Sequence, residues 1–173
     1  MHKLFWENDM LTLKPFKNSD AEMVAELLKN EQTYALICGG KYGDYPVKAE
    51  DIINYYSALE GAYPMTAFFE NRAVGHILIV KSGQSVLLGS VVIDSAERGK
   101  GLGKKMLKAA VNCAFENLGA KEITIGVFEQ NLGALSLYRS LGFVESKKEM
   151  RPFLDEQRPY VWLRLKGENY EHL

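Results

Sequence analysis

The sequence predicts a single domain of mixed α/β (α+β) class: a central, mostly antiparallel sheet of about seven strands with a parallel central pair, flanked by about four helices. Three observations lead there. Strand-forming runs recur in neighbouring pairs separated by short turn-forming gaps. The apolar run Ser85–Ile93 passes through glycines into a long helical pattern and then a second strand at 123–127, a unit whose two strands must run parallel. The 173 residues contain no repeat, low-complexity tract or Pro/Ser-rich linker, so 1–173 reads as one domain.

Each element has a local cause. Leu11 and Leu13 alternate with polar residues in a first strand, which Pro15 ends or confines to an edge. Ser19-Asp20-Ala21-Glu22 has the capping-box pattern, with Met23, Leu27 and Leu28 behind it at helical spacing, predicting a helix near 19–30. Turn formers crowd Gly39–Pro46, a predicted loop, before a second helix of about ten residues through Ile52, Ile53 and Tyr56 that Gly61 closes. The runs 66–70 and 73–80 flank Asn71-Arg72 as a hairpin. Ser85–Ile93 is almost wholly apolar, as a strand covered on both faces would be. Leu102, Met106, Leu107, Ala110, Val111, Ala114 and Leu118 share one helical face, with Gly119 placed to terminate it. A strand at Ile123, Ile125 and Val127, a short helix near 133–141 ending at Gly142, and two antiparallel strands at 143–150 and 160–165 complete the chain.

Composition excludes several functions. With 21 Lys+Arg against 22 Asp+Glu, the net charge of −1 lacks the basic bias of a protein that grips nucleic acid through its phosphates. No segment approaches eighteen uninterrupted apolar residues, and the first nine residues have no long apolar stretch, so neither a membrane span nor an export signal is expected. Two cysteines, Cys38 and Cys113, are too few for a disulfide framework, which suits a reducing cytoplasm. His2, His76 and His172 are scattered without ligand spacing, so no metal is expected.

The segment from Val91 to Lys104 is the most informative. A buried strand leads through Arg98-Gly99-Lys100-Gly101-Leu102-Gly103 directly into a helix. The first N–H groups of a helix have no internal partner and carry the positive end of its dipole, while glycine lets an anion approach the backbone. Arg98, Lys100 and Lys104 would add charge-assisted contacts. The spacing fails the Walker pattern, because Arg98 stands where its first glycine belongs and Lys105 where its hydroxyl belongs. It also fails the G-x-G-x-x-G dinucleotide pattern. Glycines that merely make a tight turn, beside solvated lysines, are the plain alternative.

Arg98-Gly99-Lys100-Gly101-Leu102-Gly103 resembles the [QR]-x-x-G-x-[GA] acetyl-coenzyme-A signature of the GNAT superfamily of N-acetyltransferases. A second block, Asn131 to Phe143, resembles that family's N-x-x-A-x-x-x-Y-x-x-x-G-F segment, and the order of elements agrees over nearly the whole chain. The resemblance implies transfer of the acetyl group of acetyl-CoA to a primary amine, which could be a small molecule, an antibiotic, a peptide N-terminus or a lysine. It implies that the backbone of Val91, Val92 and Ile93 pairs with the pantetheine arm as an added strand and supplies an oxyanion donor. By the same resemblance Arg98 through Gly103, beside Lys104, hold the diphosphate; Asn131 hydrogen-bonds the arm, with Ala134 also on the cofactor; and Tyr138 protonates the leaving thiolate. Asn131 could equally be a helix cap, and Tyr138 one more core aromatic among nine tyrosines.

Gly89 and Gly126 fall in the two parallel strands, either as sites of close approach or as weak strand positions. Gly126 stands where one branch of the family carries a glutamate base, which leaves the base unassigned, with Glu129 the nearest carboxylate. Tyr34, Tyr42, Asp44 and Tyr45 are candidates for an amine-selecting loop, or for simple packing. The expected assembly is a monomer or a homodimer, and a CoA-binding regulator without turnover is the alternative function.

Overall fold

The computed structural model of the chain describes residues 6–8 and 11–170. Its strands are β1 (Trp6–Asn8), β2 (Leu11–Pro15), β3 (Ala62–Phe69), β4 (Arg72–Ser82), β5 (Ser85–Ile93), β6 (Glu122–Phe128), β7 (Val144–Phe153) and β8 (Glu156–Lys166). The helices are α1 (Ala21–Leu27), α2 (Glu31–Cys38), α3 (Ala49–Ala58), α4 (Leu102–Asn112) and α5 (Leu132–Ser140). The strands form one sheet in the order β1-β2-β3-β4-β5-β6-β8-β7. Neighbours are antiparallel except β5 and β6, the expected parallel pair. The sheet thus has eight strands rather than about seven and five α-helices rather than about four, the additions being three-residue β1 and α2.

The α2 helix begins where the first helix was expected to end. Asn30 takes an extended conformation and its Oδ1 accepts from the Thr33 N–H at 3.0 Å, so it caps a new helix instead of closing the old one. Gly39, at φ 58°, closes that helix in the left-handed region. The first cap also differs from the Ser19–Glu22 expectation. The Asp20 carboxylate accepts from the Lys17 N–H at 3.0 Å and from the Thr66 hydroxyl at 2.8 Å, which ties the start of α1 to β3. At the β3–β4 turn, Glu70 and Asn71 both take positive φ, 49° and 63°, as a tight two-residue hairpin requires.

Two apolar clusters cover the sheet. Leu102, Met106, Leu107 and Ala110 of α4 join Leu135 and Tyr138 of α5 over Ile77, Ile79, Val86, Leu88, Ile123 and Ile125. A smaller cluster of Val24, Leu28, Tyr34, Cys38, Tyr42 and Ile52 lies among α1, α2 and α3, with α1 reaching β4 and α2 reaching β5. The strand buried on both faces is β4, from Val74 to Ile79. In β5 burial alternates, and Leu87 remains 39% exposed. Leu87 to Ile93 line a cavity that α2 only partly covers, which corrects the expectation that β5 would be covered on both sides.

Replacing Asp20 by Ala should lower the urea midpoint by an amount equivalent to about 1–3 kcal/mol, because the buried Thr66 hydroxyl and the Lys17 N–H both lose their acceptor. Adding Thr66→Val should recover part of that loss. An unchanged midpoint in the single variant would remove Asp20 from the account of how α1 is anchored.

Candidate functional site

The parallel pairing of β5 and β6 runs only from Ser85↔Glu122 to Leu88↔Ile125. Beyond it the strands part. β6 stays with β8 as far as Phe128↔Tyr160, while β5 stays with β4. On β5 the divergence coincides with a bulge: pairing jumps from Leu78↔Gly89 to His76↔Val92, so Ser90 and Val91 together face Ile77. Ser90 carries the strained backbone, at φ 49°. On β6, a Cβ at Gly126 would stand 2.7 Å from Cζ of the Tyr160 ring, and on β5 a Cβ at Gly89 would stand 3.2 Å from the Lys41 ammonium. Both glycines are therefore sites of close approach, not weak strand positions.

A cavity of about 980 Å³ opens in this fork. Its floor is Leu87 to Ile93 and Ile125 to Phe128. One wall comes from Arg98, Gly99, Gly103 and the inner side of α5; the other comes from Cys38 at the end of α2 and Gly39 and Lys41 after it, with Arg151, Tyr160 and Trp162 from the β7–β8 hairpin. Past Leu88 the edge of β5 that faces the cavity has no strand partner.

The turn before α4 is held by its own polar groups. Asp94 Oδ1 accepts from the Ala96 N–H at 2.9 Å. Glu97, 4% exposed, takes Arg72 at 2.6 Å and Lys100 at 2.7 Å, and these two cations hold its carboxyl below the usual range. Gly99 and Gly101 adopt φ of 79° and 71°, which a side chain would resist. No side chain caps α4, so its first N–H groups keep no intrahelical acceptor.

Of the residues expected at the anion end, Arg98, Gly99 and Gly103 line the cavity, whereas Lys100, Gly101, Leu102 and Lys104 do not. Lys100 is held by Glu97, the Leu102 side chain is in the core, and Lys104 is exposed. Val91, Val92, Ile93, Asn131, Ala134 and Tyr138 all line it. Asn131 is also the cap of α5, its Oδ1 accepting from the Ala134 N–H at 3.2 Å. Tyr138 is 5% exposed, and burial first, then the nearby Tyr160, pushes its phenol far above the ordinary range.

The loop tyrosines take the packing role. Tyr34 donates to the Gly43 carbonyl at 2.8 Å and accepts from the Tyr42 N–H at 3.0 Å; Tyr45 donates to the Lys29 carbonyl. Tyr34, Tyr42, Asp44 and Tyr45 do not line the cavity, and neither does Glu129, which is half-buried and paired with Lys148. No Asp or Glu lines the cavity among the described residues. His2 and His172 lie outside the described residues, and among those described no cluster of potential metal ligands occurs. No described helix is long and apolar enough to cross a membrane.

Sequence reasoning missed a buried chain of hydroxyls behind the bulge. Tyr42 donates to Ser90 Oγ at 2.9 Å and shares a hydrogen bond with the Tyr56 hydroxyl, which lies 2.5 Å from His76 Nε2. The available signal was His76 itself, a polar side chain inside the apolar β4 run, which must find a partner when buried. Burial pushes His76 down to about 3 and the Cys38 thiol up to about 11.

A family model described as the acetyltransferase (GNAT) family matches residues 23–143. A spermine/spermidine N(1)-acetyltransferase of Bacillus subtilis is 44% identical over 63 residues, which are 36% of this chain and only 41% of that relative. The L-amino acid N-acyltransferase MnaT of Escherichia coli is 26% identical over 141 residues, 78% of this chain and 80% of that protein. Among solved structures, spermidine N-acetyltransferase from Vibrio cholerae in complex with CoA and spermine shares the fold with a TM-score of 0.81 at 17% identity, covering 94% of this chain and 99% of that one.

Tyr42→Phe should strip Ser90 and Tyr56 of a buried partner and lower stability by about 1–3 kcal/mol. Amide exchange at Val91 and Val92 should accelerate beyond the global change. Exchange that accelerates no more than in the rest of the sheet would detach the bulge from the hydroxyl chain.

Proposed function

This chain belongs to the acetyltransferase (GNAT) family, and from that membership we propose that it transfers the acetyl group of acetyl-CoA to a primary amine by direct attack in a ternary complex. The observation that carries this reading is the fork, where an unpaired edge of β5 leads to an uncapped helix start flanked by Arg98.

A pantetheine arm contains amides spaced to pair with an extended backbone, so Val91 to Ile93 can receive it as an added strand. The diphosphate then falls at Arg98, Gly99 and the α4 N-terminus, where free N–H groups and a guanidinium favour negative charge. With the arm docked, the thioester lies in the fork, and a β5 main-chain N–H can stabilise the oxyanion that develops as the amine nitrogen attacks the carbonyl carbon. Collapse breaks the C–S bond; the thiolate takes its proton from the Tyr138 hydroxyl, and the proton shed by the attacking nitrogen passes to solvent water, which restores the phenol. Burial keeps that phenol protonated throughout the neutral range, as an acid requires. Direct attack is favoured over an acyl-cysteine because the Cys38 thiol, pushed up to about 11, stays protonated and weakly nucleophilic. A regulator that only bound CoA would have no use for a buried phenol at this place.

Acetyl-CoA should raise the melting temperature more than ATP or NAD at equal concentration, because only a ligand that prefers the native state stabilises it. Tyr138→Phe should lower thiol release in the presence of an amine about 10²–10⁴-fold while keeping that thermal shift. A larger shift with ATP would overturn the acyl-CoA reading, and full turnover in Tyr138→Phe would remove the phenol from the chemistry.

A further inference from the structure

The wall of the cavity opposite the diphosphate end carries two cations: Lys41, which has no carboxylate partner among the described residues, and Arg151, which is paired with Glu149 through Nε alone. Lys41 follows α2, and its ammonium lies directly over Gly89 on β5. It lines the cavity, and among the described residues no carboxylate pairs with it. Arg151 lies on β7, held in place on three sides. Its Nε donates to Glu149 at 2.8 Å, and its guanidinium stacks over the Tyr160 ring at 4.5 Å and the Trp162 ring at 4.9 Å. Glu149 also accepts from the Trp162 indole at 3.0 Å, so carboxylate and ring fix the guanidinium together. Neither terminal nitrogen of Arg151 has a hydrogen-bond acceptor among the described residues.

The two cations sit across the fork from each other. Gly89 and Gly126 immediately follow the last paired residues, Leu88 and Ile125. Lys41 covers the first glycine, and the Tyr160 ring beneath Arg151 covers the second. Burial, and Arg151 after it, push the Lys41 ammonium below its usual range, so the pair is costly as it stands. An anion between them would offset that cost. No cavity-lining carboxylate among the described residues is available to do so, and none is available to receive a polycation.

We propose that the acceptor is a primary amine that bears a carboxylate, an amino-acid-like molecule whose anionic end docks between the Lys41 ammonium and the Arg151 guanidinium. This rests on the acetyltransferase reading and names its substrate class. The planar guanidinium, with both terminal nitrogens open, matches the two oxygens of a carboxylate, and the ammonium adds a point charge. A short spacer then leaves the substrate's amine over the fork. A polyamine such as spermidine would bring several positive charges against two fixed cations, a mismatch that selects against it.

The test uses the full chain in a thiol-release assay with saturating acetyl-CoA. Acceptors are free amino acids, the carboxamide of each, and spermidine. At least one amino acid should show kcat/KM about tenfold or more above both its amide and spermidine. Lys41→Gln and Arg151→Gln should each raise KM for that amino acid by a similar factor, more than they lower kcat, and erase the preference over the amide. Lys41→Arg should restore it, and the thermal shift with acetyl-CoA should persist in every variant. Spermidine turned over faster than every carboxylate-bearing amine, or an unchanged KM in both Gln variants, would overturn the proposal while leaving the acetyltransferase reading intact. Failure of that reading would look different: no thermal shift with acetyl-CoA and no thiol released with any amine.

Discussion

A strand has two hydrogen-bonding edges, and beyond Leu88 β5 gives up one of them. Its bulge at Ser90 and Val91 turns the strand away from β6 while β4 still holds the other edge. Everything at the site follows from that separation: the cavity, the free main-chain edge, and the placement of α4 and α5 at its mouth. The strain at Ser90, φ 49° in a residue that is not glycine, persists because its hydroxyl is anchored through Tyr42 and Tyr56 to His76. The buried polar chain is thus the structural counterpart of an open sheet. It holds the bulge in place while the main-chain edge beyond Leu88 stays unpaired.

The parts of the fold legible in the sequence were those specified locally. The apolar face of α4 and the Asn131–Phe143 block each require only neighbours within a few turns, and they appear where the spacing put them. Glycines at 99 and 101 answered a local need, positive φ in the turn, whereas those at 89 and 126 had their cause in distant partners: Lys41 for Gly89 and Tyr160 for Gly126. Ser19-x-x-Glu22 looked like a cap because pattern alone cannot show that Asp20 is better placed, with Thr66 on another strand as its second donor. Helix α2 was missed because Asn30 serves equally well in sequence as a stop or a start.

The same distinction governs the site. The end proposed for the diphosphate is a contiguous stretch, so Arg98, Gly99 and Gly103 could be found by reading along the chain. The opposite wall is assembled from α2 and the segment after it, β7 and β8, and nothing in the spacing of Lys41 and Arg151 announces that they line one cavity. Burial then sorts the titratable groups into roles: Tyr138 and Cys38 kept protonated, His76 kept neutral, Lys41 left as a cation without a counter-ion among the described residues.

The most direct examination of the open fork is a crystal structure of the chain with acetyl-CoA. The fork mechanism predicts amides of the pantetheine arm within hydrogen-bond distance of the Val91–Ile93 backbone, the diphosphate against Arg98 and the α4 N-terminus, and the sulfur within reach of the Tyr138 hydroxyl. Acetyl-CoA bound elsewhere, or β5 and β6 paired through Val91 and Phe128 with no room between them, would contradict it.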